Sequence, residues 1–197
     1  MVIGYHVILS AYGFWLPNDP RGSWSDFVGS WELFRFGRAT KTDVRHSVAQ
    51  APHDRQARLA AKTALKYPPV RFTGIQARAV GRGFAAFAAK SGLILWACSI
   101  LPEHVHLVVA KHRYSVEEAA NHLKGAATRR LAEEGIHPMA GMCKRSGRVP
   151  SPWGVREWKV FLRTPADAVR AIRYVEDNPL KEGLPRQRWP FVRPFDA

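Results

Sequence analysis

The chain has 197 residues, of which 46% are hydrophobic and 23% charged, a balance that suits one folded domain of roughly 100–200 residues and excludes a disordered chain. Thirty Lys and Arg stand against sixteen Asp and Glu, a net charge of +14, and on a folded protein that surplus points to a polyanion, nucleic acid before an anionic membrane. Two cysteines, Cys98 and Cys143, are too few for a disulfide scaffold or a Cys-type zinc finger.

The opening stretch, Val2 to Ser10, is apolar and β-branched and reads as a strand. No basic segment precedes an apolar one there, so no secretory signal is expected. GFWLPNDPRGSW follows, where Pro17, Pro20 and Gly22 break regular structure. Trp15 with Asn18, Asp19, Pro20 and Arg21 is expected to make a rigid turn rather than to read a base. Residues 23–52 are aromatic-rich and carry no assignable period, so 17–52 reads as an irregular insertion.

Asp54 to Leu65 reads as a helix that Pro68 and Pro69 stop. Val70 to Phe72 is a candidate short strand. Thr73 can cap a helix through about Lys90, weakened by Gly81 and Gly83. The apolar run from Phe84 to Leu101 is long enough to span a bilayer, but Lys90 at its middle excludes insertion. Leu93 to Ile100 and His104 to Ala110 form a hairpin about the turn Leu101-Pro102-Glu103, and Cys98 is expected in the core.

Ser115 opens a strong helix with a capping box to Glu118. Ala119, Leu123, Ala126, Ala127 and Leu131 recur on one face of it. Asn121, Lys124, Thr128 and Arg129 lie on the other, and Gly135 ends it. Residues 136–152 read as a mobile basic loop and Arg156 to Leu162 as a strand. Thr164 caps a last helix, with Pro165 at its first position; it runs to about Asp177, closed by Pro179. A basic, aromatic tail spans 181–197. Hairpins mixed with helices predict an α+β fold, an antiparallel sheet flanked by helices, in one domain over 1–197. A cytoplasmic protein is expected.

Two constellations carry chemistry. In a strand alternate side chains share a face, so His104 and His106 point one way while Val105, Leu107 and Val109 point toward the core. Imidazoles so spaced can chelate one divalent cation or stand as two surface histidines. In the last helix Tyr174 and Asn178, four residues apart, share a face. Asn178 offers a carbonyl oxygen suited to Mg²⁺ or Mn²⁺, or caps the helix end. Tyr174 is a covalent nucleophile or a half-buried aromatic. If these parts meet, a cation on His104, His106 and Asn178 grips a scissile DNA phosphate, and Tyr174 attacks it to form a phosphotyrosine. A phenol needs activation for this, from Lys181, a nearby lysine or a metal-bound water.

With these residues in place, the sequence resembles the single-tyrosine HUH transposases of bacteria. YGFWLPNDPRGS, LPEHVHLVV, NHLKGAATRRL and YVEDNPLKEGL occur in that family's order, and the resemblance covers most of the chain. It implies the HUH-endonuclease, ferredoxin-like fold. It implies recognition of a palindromic DNA hairpin and cleavage of single-stranded DNA through a 5′-phosphotyrosine, leaving a free 3′-hydroxyl. His104 and His106 match the family's histidine pair, Tyr174 its nucleophile and Asn178 its third ligand. Asn there, where insertion-sequence members carry Gln, leans toward the repeat-associated branch. A nucleoid-associated monomer or homodimer is implied.

Lys124 and Arg129 match a family segment that faces DNA, with Arg130 beside them. In the tail, Arg186 and Arg188 are candidates for phosphate contacts, and Trp189 and Phe191 for base stacking. The alternative for the tail is packing back onto the domain. Two alternatives for the whole protein are a catalytically inactive, domesticated hairpin-binding protein and a metal-dependent hydrolase acting through water.

Overall fold

A computed structural model describes residues 1–17, 19, 31–37, 52–142 and 146–196. The strands are β1 (Gly4–Ala11), β2 (Leu95–Ile100), β3 (His104–Ala110) and β4 (Trp153–Leu162). The helices are α1 (Trp31–Phe34), α2 (Arg55–Thr63), α3 (Gly74–Ser91), α4 (Val116–Glu133) and α5 (Pro165–Lys181). The sheet has the order β2-β3-β1-β4 and every neighbouring pair is antiparallel. This is the expected α+β architecture. Asn18, Pro20 and Arg21, most of 23–52, and Cys143 lie outside the described residues.

Both faces of the sheet are covered. Val7, Leu9, Val105, Leu107 and Val109 share one face and pack under α3 and α4 in the larger core. Ala97, Val108 and Leu162 share the other and pack under Ala168, Ala171 and Val175 of α5. Alternation along each strand thus feeds two cores, which is why β1 and β3 read as nearly unbroken apolar runs.

Three helices begin on capping boxes: Thr73 with Gln76, Ser115 with Glu118 and Thr164 with Asp167. Each satisfies otherwise orphaned backbone N–H groups, worth about 1 kcal/mol per cap. The glycines of α3 have a packing purpose. A Cβ on Gly83 would lie 2.6 Å from the Cα of Ala127 in α4, so Gly83 lets the two helices touch backbone to backbone. Gly81 lies against the indole of Trp189 in the same manner.

Two expectations are corrected, and of the two alternatives for the tail the structure has the second. Val70 and Phe72 are not a strand; both are buried and each is tied by a single backbone bond, Val70 N–H to Tyr12 O and Phe72 N–H to Pro102 O. The loop after α4 is anchored, because Met139 is buried in the core and Met142 packs against it. The tail packs back onto the domain. The Gln187 amide donates to and accepts from the backbone of Ile100, both at 2.8 Å. Val192 bridges Leu95 in parallel, and Arg193 N–H reaches Leu95 O. Trp189 and Phe191 are half-buried against the larger core, and Phe195 meets Trp96 edge-on. The tail therefore covers the β2 edge, whose backbone groups would otherwise be a template for association.

Candidate functional site

His104 and His106 leave β3 on the face that carries α5, and their rings are 4.8 Å apart. Phe14, in the turn after β1, stacks on His104 at 4.6 Å. In the register of β1 on β3, Ile8 faces His106 and His6 faces Val108. His6 is therefore one step diagonal to His106 on the same face, close enough for side chains to meet. The two rings stack at 5.2 Å and 26°, and His6 Nε2 lies 3.0 Å from His106 Nδ1. Burial holds the His6 imidazole down at about 4. Burial also drives His106 well below its ordinary value, helped by the charges of His104, His6 and Lys181. Both rings are neutral at pH 7 and keep lone pairs for a ligand or a proton.

His6 is the site residue that sequence reading passed over. Its signal was one imidazole in the otherwise uncharged strand GYHVILSA. Which face that side chain shares is set by the strand register, and register is a tertiary property.

The last helix reaches this face by an unusual local route. It does not stop before Pro179 but continues to Lys181 with the proline inside it. Pro179 has no N–H, so the carbonyl four residues earlier, on Val175, loses its helical donor. The hydroxyl of Ser99 donates to that carbonyl instead. Ser99 is the register partner of His106. The bond therefore pins α5 to the sheet beside the histidines, and Asn178 is an interior helical residue rather than the end cap.

Tyr174, one turn before Asn178, has its ring 5.5 Å from both His6 and His106. It is 39% exposed, and the burial of the remainder raises its phenol above the ordinary value. The ammonium of Lys181 sits 4.3 Å over the tyrosine ring, a cation–π contact. Asn178 is 6% exposed, and its buried Nδ2 has no hydrogen-bond partner. Among the described residues no group of three His, Cys, Asp and Glu side chains could hold a metal ion.

The residues expected to meet DNA are dispersed. Lys124 is 7% exposed instead of lying on an outward polar face. Its ammonium donates to the carbonyls of Gly154 at 3.0 Å and Val155 at 3.4 Å, and burial lowers its pKa. It brackets α4 to the start of β4, helped by Thr128, whose hydroxyl accepts from the Trp153 indole. Arg129 is exposed. Arg130 faces Glu133 at 3.4 Å and Glu134 at 3.9 Å. Arg186 pairs with Asp177 of α5, and Arg188 is exposed in the tail.

Among solved structures, a REP-associated tyrosine transposase bound to a REP hairpin aligns over 96% of this chain and 74% of its own length, with 12% identity and a TM-score of 0.50. The chain has the fold of that transposase. A crystal structure of a candidate transposase from Deinococcus radiodurans R1 aligns over 90% of this chain and 91% of its own, at 15% identity and a TM-score of 0.38. Neither a scan against protein-family models nor a search of curated proteins finds a match. No helix among the described residues is long and apolar enough to cross a membrane.

Proposed function

We propose that this protein is a single-tyrosine HUH transposase that recognises a DNA hairpin and cleaves an adjacent single strand through Tyr174. The observation that carries the reading is the meeting of Tyr174 with the imidazole pair, its ring 5.5 Å from His106. The shared fold with a transposase holding a REP hairpin, and the net charge of +14, support it.

In this reading His104, His106 and Asn178 hold a divalent cation, Mg²⁺ or Mn²⁺. The chemistry of the donors fits: two imidazoles, of which His106 is held neutral by burial, and one buried amide with an unpartnered end. An amide left so costs about 1–3 kcal/mol, and a half-turn of its χ2 exchanges the oxygen for the nitrogen. When bound, such a cation polarises the phosphoryl oxygens and offsets charge in the transition state.

The chain's own residues do the rest. The phenol oxygen of Tyr174 attacks phosphorus as its proton leaves to solvent. The bond from phosphorus to the 3′-oxygen breaks, and that oxygen takes up a proton as a free 3′-hydroxyl. The 5′-phosphate stays on Tyr174, so one phosphodiester replaces another and no nucleotide cofactor is consumed. Lys181, over the tyrosine ring, favours the developing phenolate by its charge. Arg129 and Arg188 add salt-dependent phosphate contacts.

The test is a hairpin with a single-stranded flank, taken from DNA beside the gene, incubated with Mn²⁺ and run on a denaturing gel. A covalent adduct is expected from the wild-type chain and none from Tyr174→Phe, with hairpin binding kept in both. An adduct from the Phe variant would reject Tyr174 as nucleophile. Chelator-insensitive binding with no adduct from either chain would leave a binding protein.

A further inference from the structure

We infer that His6 is a positioning residue that fixes the tautomer of His106 and so prepares it as a metal ligand, an inference that rests on the reading of the site given above. His6 Nε2 and His106 Nδ1 are 3.0 Å apart, and this is the hydrogen bond His6 makes among the described residues. At that separation the two ring nitrogens share one proton. It can be arranged in two ways. If His106 carries its proton on Nδ1, that N–H donates to His6 Nε2, and His106 Nε2 keeps a bare lone pair. If His6 donates instead, the proton of His106 is on Nε2, where it blocks ligation. A ligating histidine needs an acceptor for its other ring nitrogen, and in many sites a carboxylate or a carbonyl serves. Here the neighbour is a second imidazole delivered by β1.

The packing holds that acceptor in place. His6 lies stacked on His106 at 5.2 Å and edge-on to Tyr174 at 5.5 Å. A phenylalanine at position 6 would fill similar space and stack as well, but it could not accept a proton. His6 therefore links the strand that carries no ligand to the residue that needs orienting, and it touches the nucleophile's ring without being a catalytic residue itself.

The direct test is the tautomer of His106, read in the metal-free full chain by two-bond ¹⁵N–¹H correlation at neutral pH. The wild-type chain is expected to show His106 as the Nδ1–H form. His6→Phe is expected to shift it to the Nε2–H form. His6→Gln, whose amide oxygen reaches the position of Nε2, is expected to retain the wild-type form. His6→Asn, whose shorter amide falls short, is expected to lose it. An Nε2–H His106 in the wild-type chain overturns the inference, as does an unchanged tautomer in His6→Asn; the Gln and Asn pair decides the matter even if the Phe variant does not fold.

Calorimetric titration with Mn²⁺ alone supplies the second arm. The affinity is expected to fall about 10–100-fold in His6→Asn and to be largely restored in His6→Gln, while hairpin binding in chelator stays at the wild-type level in both. Equal Mn²⁺ affinity in Asn and Gln variants, with the wild-type site present and lost in His104→Ala, rejects the positioning role alone. No Mn²⁺ site in the wild-type chain rejects the metal reading, and the positioning role toward a metal falls with it.

Discussion

The hydroxyl of Ser99 takes the place of a helical N–H for the carbonyl of Val175. Pro179 creates the need and β2 supplies the answer, so a helix that sequence rules would end continues for another turn carrying Asn178 and Lys181. Ser99 is also paired in register with His106, which puts the repair next to the histidines it helps to assemble.

This relationship makes a double-mutant cycle informative. Ser99→Ala leaves a buried carbonyl unpaired and is expected to cost about 1–3 kcal/mol by urea denaturation. In a Pro179→Ala background the helix regains its own donor, and the same Ser99 substitution is expected to cost much less. Equal costs in the two backgrounds would show that the hydroxyl is not replacing the missing N–H.

Acid should weaken the fold through the buried imidazoles. His6 is held at about 4 against an ordinary 6.5, so between those values the unfolded chain binds more protons than the folded one. Stability is full above 6.5 and is lost as the pH falls toward 4, by up to about 1.4 kcal/mol per pH unit for each such histidine. His106 adds to the loss in the same direction. Denaturation midpoints measured across this range are expected to drop with acidity, and more shallowly in His6→Phe. Parallel curves for the two chains would contradict the burial of a neutral His6.

Two cations on one helix should behave differently. Lys124 is committed to two carbonyls at the start of β4, whereas Arg129 is exposed. Lys124→Met is expected to lower the thermal midpoint while leaving the salt dependence of hairpin binding in place. Arg129→Ala is expected to leave the midpoint alone and to reduce the slope of log affinity against log salt by about 1. The reverse pattern, read by melting curves and salt titrations, would return Lys124 to the DNA surface.

The tail should matter for solubility. Truncation after Pro185 removes the Gln187 clamp on Ile100 and the Val192 bridge to Leu95. It bares the β2 edge together with the apolar surface under Trp189 and Phe195. Light scattering after size exclusion is expected to show self-association of the truncated chain at concentrations where the full chain does not associate. An unchanged mass would mean that the edge is protected without the tail.

What the sequence determined by itself was local. The bounds of β3, the caps at Thr73 and Thr164, the capping box at Ser115, and the shared face of His104 and His106 all follow from residue types at fixed short spacings, and each recurs in the fold. The pairing of Tyr174 with Asn178 on one helical face is of the same kind. Tertiary structure decided whatever depended on a distant partner. His6 entered the site because the β1–β3 register sets it diagonal to His106. Lys124 left the surface because β4 begins beneath it, and no helical period can foresee that its neighbours will be carbonyls. Gly83 proved to be a contact with Ala127, and Pro179 stayed inside a helix because a hydroxyl from another strand stood in for its missing proton. In each case the deciding energy was the desolvation of a polar group or the exclusion of an atom, and both depend on which surfaces meet.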